Sequence, residues 1–164
     1  TVEGSVQGTT ETTIVPTTGV GSLTIPANGF AVGDAFHCVT SGTLGSANGQ
    51  VLTLRLRGSP GILARIVNIF PAAVSAASTY FELECDFQIT AIGGPTIAQI
   101  RTNFDFTYNK PAPNPGFEGS RLLQIENTLF DTTVANTLDI TAQWGSNNAS
   151  NEITTQLLYL KKEF

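Results

Sequence analysis

The chain has 164 residues, 41% of them hydrophobic, so it can bury a core as one domain. Only 13% are charged and the formal net charge is −5, which argues against nucleic-acid binding because phosphates require a basic surface. No apolar run is long enough to cross a bilayer, so membrane insertion is not expected. Because the chain begins at Thr1 and contains no Met, we expect a fragment or a processed form, which leaves room for an upstream shaft or anchor.

Short segments of alternating apolar and polar residues, separated by Gly, Pro and Asn, predict β-strands along the whole chain. We predict a Thr-rich lead-in strand at residues 1–15, followed by strands at residues 22–25, 30–40, 51–57, 62–70, 80–90, 97–109, 121–130, 138–144 and 152–160. About ten strands without a dependable helix favour an all-β fold. We expect residues 1–164 to form a single two-sheet antiparallel jelly-roll sandwich.

The strand at residues 80–90 has the clearest alternation. Its odd residues are apolar, whereas Glu82, Glu84 and Asp86 share the opposite face. We interpret these acids as a row of solvated charges that discourages pairing at a sheet edge. The alternative is a pair of carboxylates for glycoside hydrolysis, a chemistry that depends on their separation and on one raised pKa.

Two other segments predict specific placements. The strand at residues 62–70 is apolar on both faces, which favours a central position in a sheet. Residues 110–119 contain Pro111, Pro113 and Pro115, so we expect an exposed loop outside any ladder.

The loops divide between two ends, because successive strands of an antiparallel sandwich reverse direction. Four longer loops, rich in Gly, Asn, Ser and Pro, fall at one end, which we call the distal end: residues 43–49, 71–78, 110–118 and 145–151. The turns at residues 26–29, 58–61, 93–96 and 131–136 fall at the other end. Binding contacts concentrate on loops that a rigid scaffold holds, so we expect the distal end to be functional.

The final strand, residues 152–160, becomes apolar on both faces. One face carries Ile153, Thr155, Leu157 and Tyr159, and the other carries Thr154, Gln156, Leu158 and Leu160. A strand that covers one core needs a single apolar face, so the second is predicted to be buried by another subunit. We assign Leu157 and Tyr159 to that interface.

Few residues carry chemistry. His37 is the single histidine, and Asp34 lies three residues before it on the same strand, so the two point to opposite faces and His37 is interpreted as structural. Cys38 and Cys85 are predicted to be buried free thiols, with a disulfide as the alternative. We expect no enzyme activity, no cofactor and no metal site.

Trp144 stands beside the loop at residues 145–151 and is the candidate for stacking on a sugar ring, with core or rim packing as the alternative. Together with Ser146, Asn147, Asn148 and, from another distal loop, Asn114, it forms the predicted ligand-binding set.

The two ends of the chain carry a family resemblance. Residues 136–145 (NTLDITAQWG), residues 151–154 (NEIT) and the ending at residues 160–162 (LKK) resemble the closing pattern of phage and large-virus fibre or spike proteins. Residues 23–30 (LTIPANGF), followed by Gly33 and Asp34, are similar to the opening of the same group. The heads of these proteins resemble the jelly roll of tumour necrosis factor and C1q.

The resemblance implies a homotrimer displayed on a shaft at the virion surface or outside the cell. Such a head attaches to a host cell-surface receptor or glycan through its distal loops. Two alternatives stay open. One is a structural virion component, such as a capsid decoration or minor capsid protein, whose loops contact other virion or fibre proteins. The other is a carbohydrate-binding adhesin module in which Trp144 stacks on sugar.

Overall fold

The computed structural model describes residues 4–15, 24–58, 61–69, 71–110, 115–124 and 130–163. In these ranges every regular element is a β-strand, and all pairings are antiparallel, as predicted. The strands are β1 (Gly4–Val6), β2 (Thr12–Thr13), β3 (Thr24–Ile25), β4 (Ala35–Gly45), β5 (Leu52–Arg57), β6 (Ile62–Ile69), β7 (Tyr80–Ala91), β8 (Gln99–Lys110), β9 (Gly116–Gln124), β10 (Asn136–Thr137), β11 (Asp139–Trp144) and β12 (Glu152–Lys162).

The strands form a β-sandwich. The long sheet has the order β1-β12-β4-β7-β8-β9, the short sheet has the order β2-β11-β5-β6, and β10 pairs with β3. Inward residues of both sheets join one hydrophobic cluster, which includes Leu83, Phe104 and Phe106 from the long sheet and Leu54 and Ile140 from the short sheet. The lead-in segment therefore contributes to both layers, since β1 joins the long sheet and β2 joins the short sheet.

The pairing order corrects three sequence-based expectations. β7 lies between β4 and β8, so its row of acidic residues does not protect a sheet edge from pairing. β6 is the terminal strand of the short sheet rather than a central one. Residues 116–119, predicted as loop, belong to β9 and pair with β8, so the break between these strands is shorter than the prolines suggested.

A β-bulge in β12 explains why this strand looks apolar on both faces. Thr155 pairs with Gly42 and Leu157 pairs with Ser41, so Gln156 is the extra residue. Ile153 and Thr155 point inward before the bulge, and Leu158 and Leu160 pack against the core after it. The bulge needs a close backbone approach at Gly42, where a Cβ atom would lie 1.9 Å from the Thr154 carbonyl oxygen.

The described parts of the loops divide between two ends as the alternation of strand direction requires. At the distal end, Ser46 and Val74 exchange two backbone hydrogen bonds of 2.9 Å. At the opposite end, the amide of Thr132 donates to the carbonyl of Gly93 at 3.0 Å, and the amide of Asn28 donates to Thr132 at 2.8 Å. Within the described residues, no helix is long and apolar enough to span a membrane.

Candidate functional site

The distal loops are tied to one another by buried polar groups. The side-chain amide of Asn151, a fully buried residue, donates to the Ser146 carbonyl at 3.1 Å, and its oxygen accepts from the Ala47 amide at 3.3 Å. The Tyr108 hydroxyl accepts from the Ala72 amide at 2.9 Å and donates to Glu118 at 2.5 Å. These bonds link the loops to neighbouring strands, so the distal loops form one surface fixed by hydrogen bonds rather than a set of independent loops.

The predicted loop residues lie on that surface. Ser146, Asn147 and Asn148 are all exposed. Asn147 accepts from the Thr9 amide at 3.3 Å, Asn148 accepts from the Ser150 amide at 3.0 Å, and Ser146 donates to Gln50. The three side chains thus shape the loop, and their role in binding stays a prediction. Asn114 lies outside the described residues.

Trp144 is not on the surface. Its exposure is 1%, and its indole nitrogen donates to the Val6 carbonyl at 3.1 Å in a buried bond. The stacking role of Trp144 is therefore wrong and the alternative of core packing holds, because a sugar ring cannot reach the indole face through the core. The alternation of β11 already carried the signal, since Leu138, Ile140 and Ala142 occupy the same inward parity.

Two other aromatic rings are exposed at the distal end of the long sheet. Tyr80 at the start of β7 is 59% exposed, and Phe117 at the start of β9 is 79% exposed. A groove of about 510 Å³ lies along them, and its other lining residues include Ser41, Glu82, Thr107 and Asn109. We call it the Tyr80–Phe117 groove. The outward parity of β7 indicated Tyr80, whereas Phe117 was hidden by the prediction of a loop at residues 110–119.

His37 also faces outward from the long sheet, at the opposite end of the same surface. Its Nδ1 lies 2.6 Å from Asp86 Oδ1, and Asp86 Oδ2 accepts from the Asn103 side chain at 3.3 Å. A concavity of about 540 Å³ borders this cluster, with Arg101 and Glu163 also on its lining. The partner of His37 is therefore on the neighbouring strand, a pairing that register decides and spacing within β4 does not show.

Asp34 is separate from His37, as predicted. It is buried, accepts from the Ala31 amide at 2.9 Å and lies 2.7 Å from the Lys162 ammonium. Burial alone would raise the pKa of Asp34, but the hydrogen bonds from Lys162 and Ala31 outweigh it and lower the pKa.

Leu157 and Tyr159, the predicted subunit contacts, are 59% and 50% exposed on the outer face of the long sheet. Their register partners on β4 are Ser41 and Val39. The exposure leaves these apolar side chains available to a second molecule, and their role as an interface stays a prediction.

The two cysteines face each other in register on β4 and β7, and both are buried free thiols, as predicted. Burial raises the pKa of Cys38 to about 11 and also raises that of Cys85. Among the described residues, no group of three or more His, Cys, Asp or Glu side chains is arranged to hold a metal ion.

On the outer face of the short sheet, Glu11 binds two arginines. Arg57 donates to both carboxylate oxygens, and an Arg55 nitrogen lies 3.5 Å from Oε2. The hydrogen bond from Arg57 lowers the pKa of Glu11 against the opposing effect of burial, and Thr141 adds a further donor at 2.6 Å. The network joins β2 to β11 and β5 across this face.

No protein-family model and no curated protein matches the chain. Among solved structures, it is similar to the CBM2 module of the evolved Dit of Lactobacillus casei BL23 phage J-1, with 14% sequence identity and a TM-score of 0.33. The match covers 84% of this chain and 66% of that chain, just under two thirds of its length. A likeness at this level carries no conclusion about ligand or assembly.

Proposed function

We propose that the chain is the homotrimeric head of a viral or phage fibre or spike, which attaches to a cell-surface protein or glycan. Its place is the virion surface, and its contacts on the particle are with other fibre or virion proteins. It works by binding rather than by catalysis. The proposal builds on the resemblance of the two ends of the chain to such heads.

The strand order supports the jelly-roll part of this proposal. One sheet contains β1, β12, β4 and β7, and the other contains β2, β11, β5 and β6, so the chain passes between layers and its first and last strands pair. Two interlocked Greek keys produce this order, with β8 and β9 extending one edge.

The trimer is proposed chiefly because Leu157 and Tyr159 are exposed after the bulge of β12. The half-exposed leucine and tyrosine leave apolar surface in water, and a second copy would bury it. Three copies arranged around one axis would place their distal ends together and present the distal loops to a cell.

The oligomeric state tests this directly. Sedimentation velocity of the full chain at micromolar concentration should show a trimer. Replacing Leu157 and Tyr159 by Arg should produce a folded monomer, because two charges would then be buried without partners. Val32→Arg is the matched control, since Val32 is 62% exposed elsewhere on the molecule, and this variant should stay trimeric. A wild-type chain that sediments as a monomer contradicts the proposal.

Binding to whole cells separates attachment from a structural role in the particle. A fluorescently labelled head should bind susceptible cells and compete with intact particles for them. A protein that decorates capsids should instead bind particles and ignore cells, and that result would remove the attachment function.

A further inference from the structure

We infer that the Tyr80–Phe117 groove is a carbohydrate site that takes a glycan of neutral sugars. The inference deepens the proposed attachment function and rests on it for the ligand class, but it places the contact on the side of the long sheet. Ser146, Asn147 and Asn148, the described loop residues that the sequence singled out, do not line this groove.

The two rings are positioned by regular pairing. Tyr80 starts β7 and Phe117 starts β9, and both strands flank β8, so the rings lie two strand spacings apart, about 10 Å. Asn109 of β8 pairs with Phe117 in register, and its side-chain oxygen accepts from the Tyr80 amide at 2.6 Å. Strands rather than mobile loops therefore hold both rings, and the apolar faces of a pyranose can lie against them.

Exposing the two rings to water is energetically unfavourable, and a ligand that covers them removes this penalty. Phe117 is 79% exposed and Tyr80 is 59% exposed, whereas Phe81 and Phe106, on the inward face of the same sheet, are buried. Large apolar side chains left together at one place on a surface mark a contact site. The groove volume of about 510 Å³ is within the range of ordinary small-molecule sites.

The polar lining matches hydroxyl groups. Glu82 is exposed on the groove and, within the described part of the chain, forms no hydrogen bond or ion pair. A carboxylate with both oxygens free accepts from two neighbouring sugar hydroxyls. Ser41 and Thr107 lie on either side of Glu82 in register. The Thr107 hydroxyl donates to Asp105 at 3.5 Å and can accept from a sugar hydroxyl.

The charge of the groove selects among glycans. Glu82 lines it and Glu84 follows on the same outward face of β7, while the nearby Lys110 ammonium is paired with Glu118. A sialylated or sulfated sugar would bring a second negative charge to this row, so the lining favours neutral sugars over anionic ones.

The test uses the full chain on a panel of immobilised oligosaccharides of glucose, galactose, mannose and N-acetylglucosamine, with sialylated counterparts. The wild type should retain neutral members and discriminate against sialylated ones. Phe117→Ala and Tyr80→Ala should each weaken binding at least about tenfold in solution titrations with the strongest neutral oligosaccharide. Glu82→Gln should weaken neutral binding and reduce the discrimination against sialylated members.

Val32→Ala is the control, because it shortens an equally exposed apolar side chain outside the groove and should bind like the wild type. The inference is overturned if no neutral oligosaccharide binds, if only sialylated members bind, or if the two aromatic variants bind like the control. Sedimentation of the same samples keeps the two proposals apart. A trimer that binds no neutral glycan contradicts the carbohydrate site but not the trimeric assembly. A monomer that binds neutral glycans contradicts the trimeric assembly but not the carbohydrate site.

Discussion

At the residue scale, burial separates side chains that look equivalent in the sequence. Trp144 adjoins a polar loop and yet is enclosed by the core, whereas Phe117 follows a proline-rich segment and is the most exposed of the large apolar residues that the structure describes. Trp144 also fixes β1, because its indole donates to Val6, the residue that pairs with Ile153. The indole therefore supports the joint between the first and last strands.

Trp144→Phe should destabilise the fold without changing the binding surface. The variant loses a buried hydrogen bond and part of the ring volume, which together cost roughly 1–3 kcal/mol. Urea unfolding followed by circular dichroism measures the change. Phe117→Ala is the comparison, and it should shift the free energy of unfolding by less than about 0.5 kcal/mol because the ring is on the surface. Equal stability of Trp144→Phe and wild type contradicts the assigned role.

At the element scale, the bulge in β12 decides which residues of the last strand meet the core. Without an extra residue, the parity of Ile153 and Thr155 would continue through Leu157 and Tyr159. With Gln156 unpaired, that parity passes to Leu158 and Leu160, and Leu157 and Tyr159 point outward. A single residue therefore creates the exposed apolar pair on which the assembly is proposed.

Deleting Gln156 should be tolerated, because pairing would run on from Thr155 to Leu157 with Leu158 and Leu160 still inward. Deleting Tyr159 should strongly destabilise the fold. Leu160 would then point outward, and Lys161 would take the inward position that Leu160 occupies in the wild type. The second deletion should cost roughly 1–3 kcal/mol, as expected for exposing a partly buried leucine and placing a lysine against the core. Thermal and urea unfolding of both variants test the assignment, and a more damaging loss of Gln156 contradicts it.

At the scale of the whole molecule, the two outer faces differ in charge. The long sheet presents the acidic row of β7, whereas the short sheet presents carboxylate and guanidinium groups already paired in the Glu11, Arg57 and Arg55 network. Glu82 and Glu84 of the long sheet therefore face solvent, whereas Glu11 of the short sheet is already bound by two arginines.

The paired carboxylates predict how stability depends on pH. The pKa of Glu11 is lowered chiefly by Arg57, and that of Asp34 is lowered by Lys162 and Ala31 despite burial. A lowered native pKa means that the unfolded chain binds these protons first, so the stabilisation is present above the ordinary carboxyl pKa of about 4 and is lost as pH falls through the native values. Burial raises the pKa of Asp139, which acts in the opposite direction.

Urea unfolding from pH 7 down to pH 2 should show stability falling below about pH 4, and Glu11→Gln should flatten that part of the curve. Arg57→Gln removes the same pair from the other side and should flatten the same region, with little further change in the double variant. An unaltered pH curve in both single variants contradicts the contribution of the pair.

Alternation along the chain, which depends only on neighbouring residues, determined the all-β class, most of the strands and the inward faces of β7, β8 and β11. The tertiary structure alone decided the pairing of His37 with Asp86, the meeting of Tyr80 and Phe117 across β8, and the bulge that exposes Leu157 and Tyr159. Each of these depends on register between segments far apart in sequence. Side-chain parity is a local property of the backbone, whereas register is set by the packing of the whole sandwich, so a pattern along one strand cannot specify it.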